Sequence, residues 1–240
     1  MYKQKLHETL RKFIVFKPTS CLVTFLLLGY FFTATPLIAQ AEVLVAQASN
    51  PKLKELLEEG KRLVDAGDYN GAIAQYQEAA KLDPRNAKIH SGIGYLYAQQ
   101  RNFQLALAAY RRAIAIDSNN SDFYYAVGYI KGNLGDTAGS KEAYRRAIQL
   151  NRGNFNAYLG LGVTQTSLGD YESAMWAYEQ AINLNRNDPR TYELMGSMFK
   201  QRRQTQQASN VLQKAKDLYR RTNDPDGLAR VEAMLREIGG

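Results

Sequence analysis

Residues 121–154 read SDFYYAVGYIKGNLGDTAGSKEAYRRAIQLNRGN, and residues 155–188 follow directly as FNAYLGLGVTQTSLGDYESAMWAYEQAINLNRND. The two stretches align over 34 positions without a gap: Tyr124 with Tyr158, Gly128 with Gly162, Gly135-Asp136 with Gly169-Asp170, Tyr144 with Tyr178. The frame extends to five units, 53–86, 87–120, 121–154, 155–188 and 189–222. The eighth position holds Gly60, Gly94, Gly128, Gly162 and Gly196. The twenty-fourth holds Tyr76, Tyr110, Tyr144, Tyr178 and then Leu212, and the twenty-seventh is Ala79, Ala113, Ala147, Ala181 and Ala215. Self-similarity at this period predicts an array of paired helices.

Each unit reads as helix, tight turn, helix. In the first helix the fourth column (Leu56, His90, Tyr124, Tyr158, Tyr192), the seventh (Glu59, Ile93, Val127, Leu161, Met195) and the eleventh share one face. In the second helix the stripe runs through columns twenty, twenty-four, twenty-seven and thirty. Gly at column eight and Ala at columns twenty and twenty-seven predict close approach of two helices. Gly67-Asp68, Gly135-Asp136 and Gly169-Asp170 supply a residue for positive φ and then a cap. Asn50-Pro51 and Asp188-Pro189 read as N-cap and first turn. Thr137 and Ser140 weaken the pattern of the third unit and predict it to be the loosest. Past Thr222 the phase runs on for one helix, from Asp224-Pro225 to Gly239, with Leu228, Val231, Leu235 and Ile238 on its apolar face. Segment 223–240 is expected to cap the last unit.

On these residues the chain resembles the tetratricopeptide repeat family over 53–222. The resemblance implies an all-α, right-handed α-solenoid of five helix pairs plus the C-terminal capping helix. It also implies a non-catalytic role, in which a protein segment is held in a concave groove lined by the first helices.

Residues 1–41 stand outside the repeat. Lys3, Lys5, Arg11, Lys12 and Lys17 precede an apolar run from Cys21 to Phe32, then Pro36 and Ala39-Gln40-Ala41. This is the pattern of a secretory signal peptide, with 42–52 as linker. Uncleaved, residues 21–39 approach the ~20 residues that span a bilayer, so an anchor is the other reading. Either way the repeat is expected outside the cytoplasm, in a periplasm, a lumen or the extracellular space. The whole chain carries 31 basic and 23 acidic residues. Without the leader 26 remain against 22, a net of +4 that is too mild for nucleic-acid binding. The single cysteine leaves with the leader.

Chemistry is sparse. His90 is the only histidine beyond the leader and sits in a packing column. No second His or Cys accompanies it to form a zinc site, and no nucleotide fingerprint follows a strand. No catalytic residue, cofactor or metal is therefore assigned. The tyrosines say more. Tyr95, Tyr125 and Tyr129 lie in columns five and nine, outside the repeat's own large positions. The resemblance places those columns in the groove, where Leu159 and Val163 continue them and Gln99 and Asn133 border them. These seven are the candidate partner-binding residues. Two readings stand: the rings face a bound segment, or they pack sideways on the next helix. Arg111-Arg112 and Arg145-Arg146, on successive second helices, read as a solvated convex face or as the contact of a membrane-tethered adaptor.

If the leader is removed, sequencing of the exported protein should begin at Glu42, or at Ser49 for the second A-x-A site at Ala46-Gln47-Ala48. An intact Met1 in a carbonate-resistant membrane fraction would instead show the anchor.

Overall fold

The computed structural model describes residues 50–239, which lie within one compact unit; the leader lies outside the described residues. Eleven helices follow one another: α1 (Pro51–Asp65), α2 (Tyr69–Leu82), α3 (Ala87–Gln99), α4 (Phe103–Ile116), α5 (Ser121–Asn133), α6 (Thr137–Leu150), α7 (Phe155–Ser167), α8 (Tyr171–Leu184), α9 (Pro189–Gln201), α10 (Thr205–Thr222) and α11 (Pro225–Gly239). No strand occurs among the described residues. The odd helices α1–α9 each pair with the next even one, and each pair packs on its neighbours, giving an α-solenoid. None of these helices is long and apolar enough to cross a membrane.

The glycine column does something more particular than bring backbones together. At each of the five positions it makes room for the side chain of column twenty-four. A Cβ on Gly94 would sit 2.7 Å from Tyr110 Cδ2, and one on Gly128 would sit 2.7 Å from Tyr144 Cδ1 and 3.0 Å from its Cγ. Gly60, Gly162 and Gly196 are covered in the same way by Tyr76, Tyr178 and Leu212. The tyrosine rings thus pack directly against bare helix backbone. Tyr110, Tyr144 and Tyr178 are buried, and burial pushes the Tyr110 hydroxyl up to about 12. The alanines of column twenty-seven are fully buried. The core is accordingly a relay of clusters, each shared by adjoining units, as expected where every unit touches only its neighbours.

The turns divide into two kinds. Gly67, Gly135 and Gly169 take φ of 78°, 80° and 75°. The aspartate after each caps the next helix, Asp68 accepting from Gly71 N, Asp136 from Gly139 N and Asp170 from Ser173 N. At the same offset the second and fifth units carry Arg101 and Arg203, with φ of 61° and 57°. Neither Asn102 nor Gln204 makes a side-chain cap bond.

The third unit is not loosened by its polar residues. Ser140 is 1% exposed and donates to Gly128 O at 2.8 Å; its Oγ also lies 3.2 Å from Thr164 Oγ1 of the next unit. Ser121 donates to Ala147 O, and Asn154 reaches back to Ser121 Oγ at 2.7 Å. These bonds satisfy buried polar groups within the third unit, and the Ser140–Thr164 contact ties it to the fourth. Column thirty departs from the predicted stripe: Leu82, Ile116 and Leu184 are each about two-fifths exposed, and only Leu218, on the helix that α11 packs against, is buried.

Helix α11 covers the end. Val231 is fully buried, and Leu228, Leu235 and Ile238 pack on the cluster of the last two units. Gly227 lies under the Tyr219 ring. Ion pairs fasten it. Arg230 Nε meets Glu193 at 2.8 Å, Lys216 meets Glu232 at 2.9 Å, and Lys200 pairs with Glu237.

Gly128→Leu should lower stability by roughly 3 kcal/mol through overpacking against Tyr144; an unchanged helical melt would contradict the packing assigned to column eight. Arg101→Gly should raise stability by up to ~1 kcal/mol, because a left-handed conformation costs a residue with a Cβ about 1–2 kcal/mol and glycine returns part of that in chain entropy. Chemical denaturation measures it, and a loss of stability would count against backbone strain at that turn.

Candidate functional site

The first helices present columns five, nine and thirteen on one face, because these positions recur every four residues. Two adjoining cavities open there. The smaller, about 220 Å³, is lined by Tyr95, Ala98 and Gln99 of α3, Tyr110 of α4, and Tyr125, Ala126, Tyr129 and Ile130 of α5. The larger, about 430 Å³, takes in Tyr125, Tyr129 and Asn133 of α5, Tyr144 of α6, Leu159 and Val163 of α7, and Arg190 and Leu194 of α9. Tyr125 and Tyr129 form the ridge that both share. All seven candidate residues, Tyr95, Gln99, Tyr125, Tyr129, Asn133, Leu159 and Val163, therefore line one or both.

Their environments differ. Tyr95 is 50% exposed and Tyr129 48%, with the Tyr129 ring edge-on to Phe103 at 6.4 Å. Val163 is also open. Tyr125 is half-buried, its ring 6.0 Å from that of Tyr144, and desolvation raises its hydroxyl pKa. Leu159 is buried and forms floor rather than rim. Asn133 Nδ2 donates to Tyr129 O at 2.9 Å, which leaves its carbonyl oxygen turned to other donors. Tyr95 and Tyr129 thus answer to the reading of rings facing outward, and Tyr125 to lateral packing.

Charge is scarce in this stretch. The only ionisable side chain other than tyrosine in either lining is Arg190, which is bound at both ends: its guanidinium pairs with Asp188 at 2.8 Å and lies over the Phe155 ring at 5.4 Å. Arg190, Asn156 and Leu194 escaped the sequence reading. Asn156 and Arg190 occupy column two, three residues before column five and so on the same face; that spacing was the available signal. His90 Nε2 lies 3.0 Å from Pro84 O, a contact that fixes the loop before its own helix. Among the described residues no group of three or more His, Cys, Asp or Glu is arranged to hold a metal ion.

Family models described as Tetratricopeptide repeat match residues 57–121 and 134–198, together just over half of the chain. A TPR repeat-containing protein of Picosynechococcus sp. is 35% identical over 54 residues, which are 22% of this chain and only 14% of that relative's length. Among solved structures, MamA is similar with a TM-score of 0.62 at 25% identity, over 68% of this chain and 96% of MamA. MamA from Desulfovibrio magneticus RS-1 gives 0.66 at 16% identity, over 73% and 98%. YrrB, described as a TPR protein with an unusual peptide-binding site, gives 0.59 at 18% identity, over 83% and 100%. The last two likenesses speak for the fold alone. Repeat period, paired helices and family match agree: the chain belongs to the tetratricopeptide repeat family.

Proposed function

We propose that this protein is a non-catalytic scaffold or assembly factor, exported from the cytoplasm, that holds a segment of another protein along α3, α5 and α7. The observation that carries the reading is the shared ridge: half-exposed Tyr129, with half-buried Tyr125 behind it, stands between two adjoining cavities whose linings are nearly uncharged, and half-exposed Tyr95 faces it across the smaller one. Exposed aromatic rings with a polar tip offer large contact area at small entropic cost and are frequent anchors of binding energy. Gln99 and Asn133 at the border present amides that suit the backbone groups of an extended segment. That YrrB is described as having a peptide-binding site lends support. The basic, apolar and A-x-A pattern of residues 1–41 supports export.

The near absence of charge in the lining selects the segment. An acidic tail would find one arginine there, already paired with Asp188, whereas an apolar or aromatic segment would bury Tyr95, Tyr129 and Val163 against itself.

Crosslinking from position 129 in the native host identifies the partner. With that partner, Tyr95→Ala combined with Tyr129→Ala should weaken binding by more than ~2 kcal/mol while the thermal melt stays nearly unchanged. Tyr125→Ala should lower both, since its ring rests on Tyr144. Replacing Arg111, Arg112, Arg145 and Arg146 by Gln should change capture in this groove little. Silent tyrosines beside essential arginines would move the site to the second helices.

A further inference from the structure

The opposite face, built by the second helices, carries its own cleft. It has a volume of about 460 Å³ and is walled by Arg145, Ile148 and Gln149 of α6 and by Glu172, Ser173 and Trp176 of α8; Leu161 and Gln165 of α7 form its floor. The eleventh column explains it. In the second unit that column is Tyr97, whose ring packs into the core and whose hydroxyl accepts a hydrogen bond from Gln77 Nε2 at 3.3 Å. In the fifth unit it is the buried Phe199. Gln165 is shorter and fills less of the same space. Gln77 and Arg145 share column twenty-five, so Arg145 stands over the cleft as Gln77 stands over Tyr97.

Two observations point to an occupant. Gln165 is 2% exposed, and its Oε1, itself closed off from the surface, has no hydrogen-bond donor; leaving such an atom unpaired is unfavourable, and a half-turn of the amide would present it to a donor arriving in the cleft. Arg145 walls the cleft, and neither it nor Arg146 beside it, nor Arg111 and Arg112 on α4, has a carboxylate within 4.0 Å among the described residues. Arg146 lies instead over the Tyr124 ring and meets Gln149. Trp176 is half exposed, its ring edge-on to Tyr158 at 5.8 Å.

We propose that this cleft receives a tyrosine from an acidic segment of a partner protein. The ring enters where Tyr97 lies in the second unit, between Ile148, Leu161 and Trp176, and its hydroxyl donates to Gln165 Oε1 once the amide has turned toward the cleft. Flanking carboxylates meet Arg145 and the arginines toward α4. Glu172, on the α8 wall, repels them from the other side and so sets the direction of the segment. The site is separate from the groove of the first helices and does not rest on it.

Trp176 is the only tryptophan in the chain, so its emission reports this cleft. Titration with the peptide acetyl-EEYEE-amide should shift that emission saturably, and acetyl-EEAEE-amide should bind at least ~10-fold more weakly. Gln165→Phe, which places in the cleft what the fifth unit already has there, should weaken the tyrosine peptide by at least ~10-fold and melt no lower than the parent. If it melts lower, Gln165→Leu, which removes the acceptor without filling the space, should show the same loss. Arg145→Gln should reduce affinity and flatten its dependence on salt. Tyr95→Ala with Tyr129→Ala should leave the titration unchanged. Equal binding of the alanine peptide, undiminished binding by both Gln165 variants, or no saturable shift with millimolar peptide would overturn the proposal.

Discussion

One ring, that of Tyr144, shows on what the array depends. It lies on the bare backbone of Gly128 in its own unit and against Gly160 in the next. On the groove side it packs against Tyr125, ring centroids 6.0 Å apart. A single side chain thereby joins α5, α6 and α7, which approach as closely as the ring and the missing Cβ atoms allow. Burying an aromatic side chain stabilises by about 1.5–3 kcal/mol, and the motif recurs with Tyr76, Tyr110 and Tyr178. At Gly94 and Gly128 a Cβ would meet ring atoms as far back as Cγ, so there the ring cannot swing aside cheaply. Repetition of this one contact gives the solenoid its regular step.

The candidate groove follows from that step. Columns five and nine of successive first helices are brought side by side, so Tyr125 and Tyr129 of one unit meet Leu159 and Val163 of the next across a shared cavity. The cap matters for the same reason. The last unit has no sixth unit to cover it, and α11 takes over through Val231, the Tyr219–Gly227 contact and the Arg230–Glu193 pair. A face assembled from several units stays in register only while each interface holds.

Most of the architecture was legible because it is periodic. The glycine, tyrosine and alanine columns, the Gly-Asp turns and the Asn-Pro and Asp-Pro helix starts are local patterns with local physical causes. What escaped depends on what stands across from a residue. Ser140 looked like a flaw and proves to be a hydrogen-bonded tie between two units. Lys131 and Gln165 break the apolar eleventh column; Lys131 turns to Asp136 at 3.0 Å, and Gln165 stays buried beside a cleft. Glu193 and Arg230 are thirty-seven residues apart, and no spacing rule pairs them. The candidate groove tyrosines were found by subtraction from the repeat, which could not distinguish open Tyr95 and Tyr129 from half-buried Tyr125.

A double-mutant cycle on Gly162 and Tyr178 tests the dependence on ring over glycine most directly, because Tyr178 is 1% exposed and covers Gly162 from the same unit. Alone, Gly162→Ala should destabilise, since the new Cβ meets the ring and that outweighs the ~1 kcal/mol by which alanine favours a helix. In a Tyr178→Ala background the same change should be neutral or stabilising, giving a coupling of at least ~1.5 kcal/mol. Additive effects, with Gly162→Ala equally harmful in both backgrounds, would contradict the account.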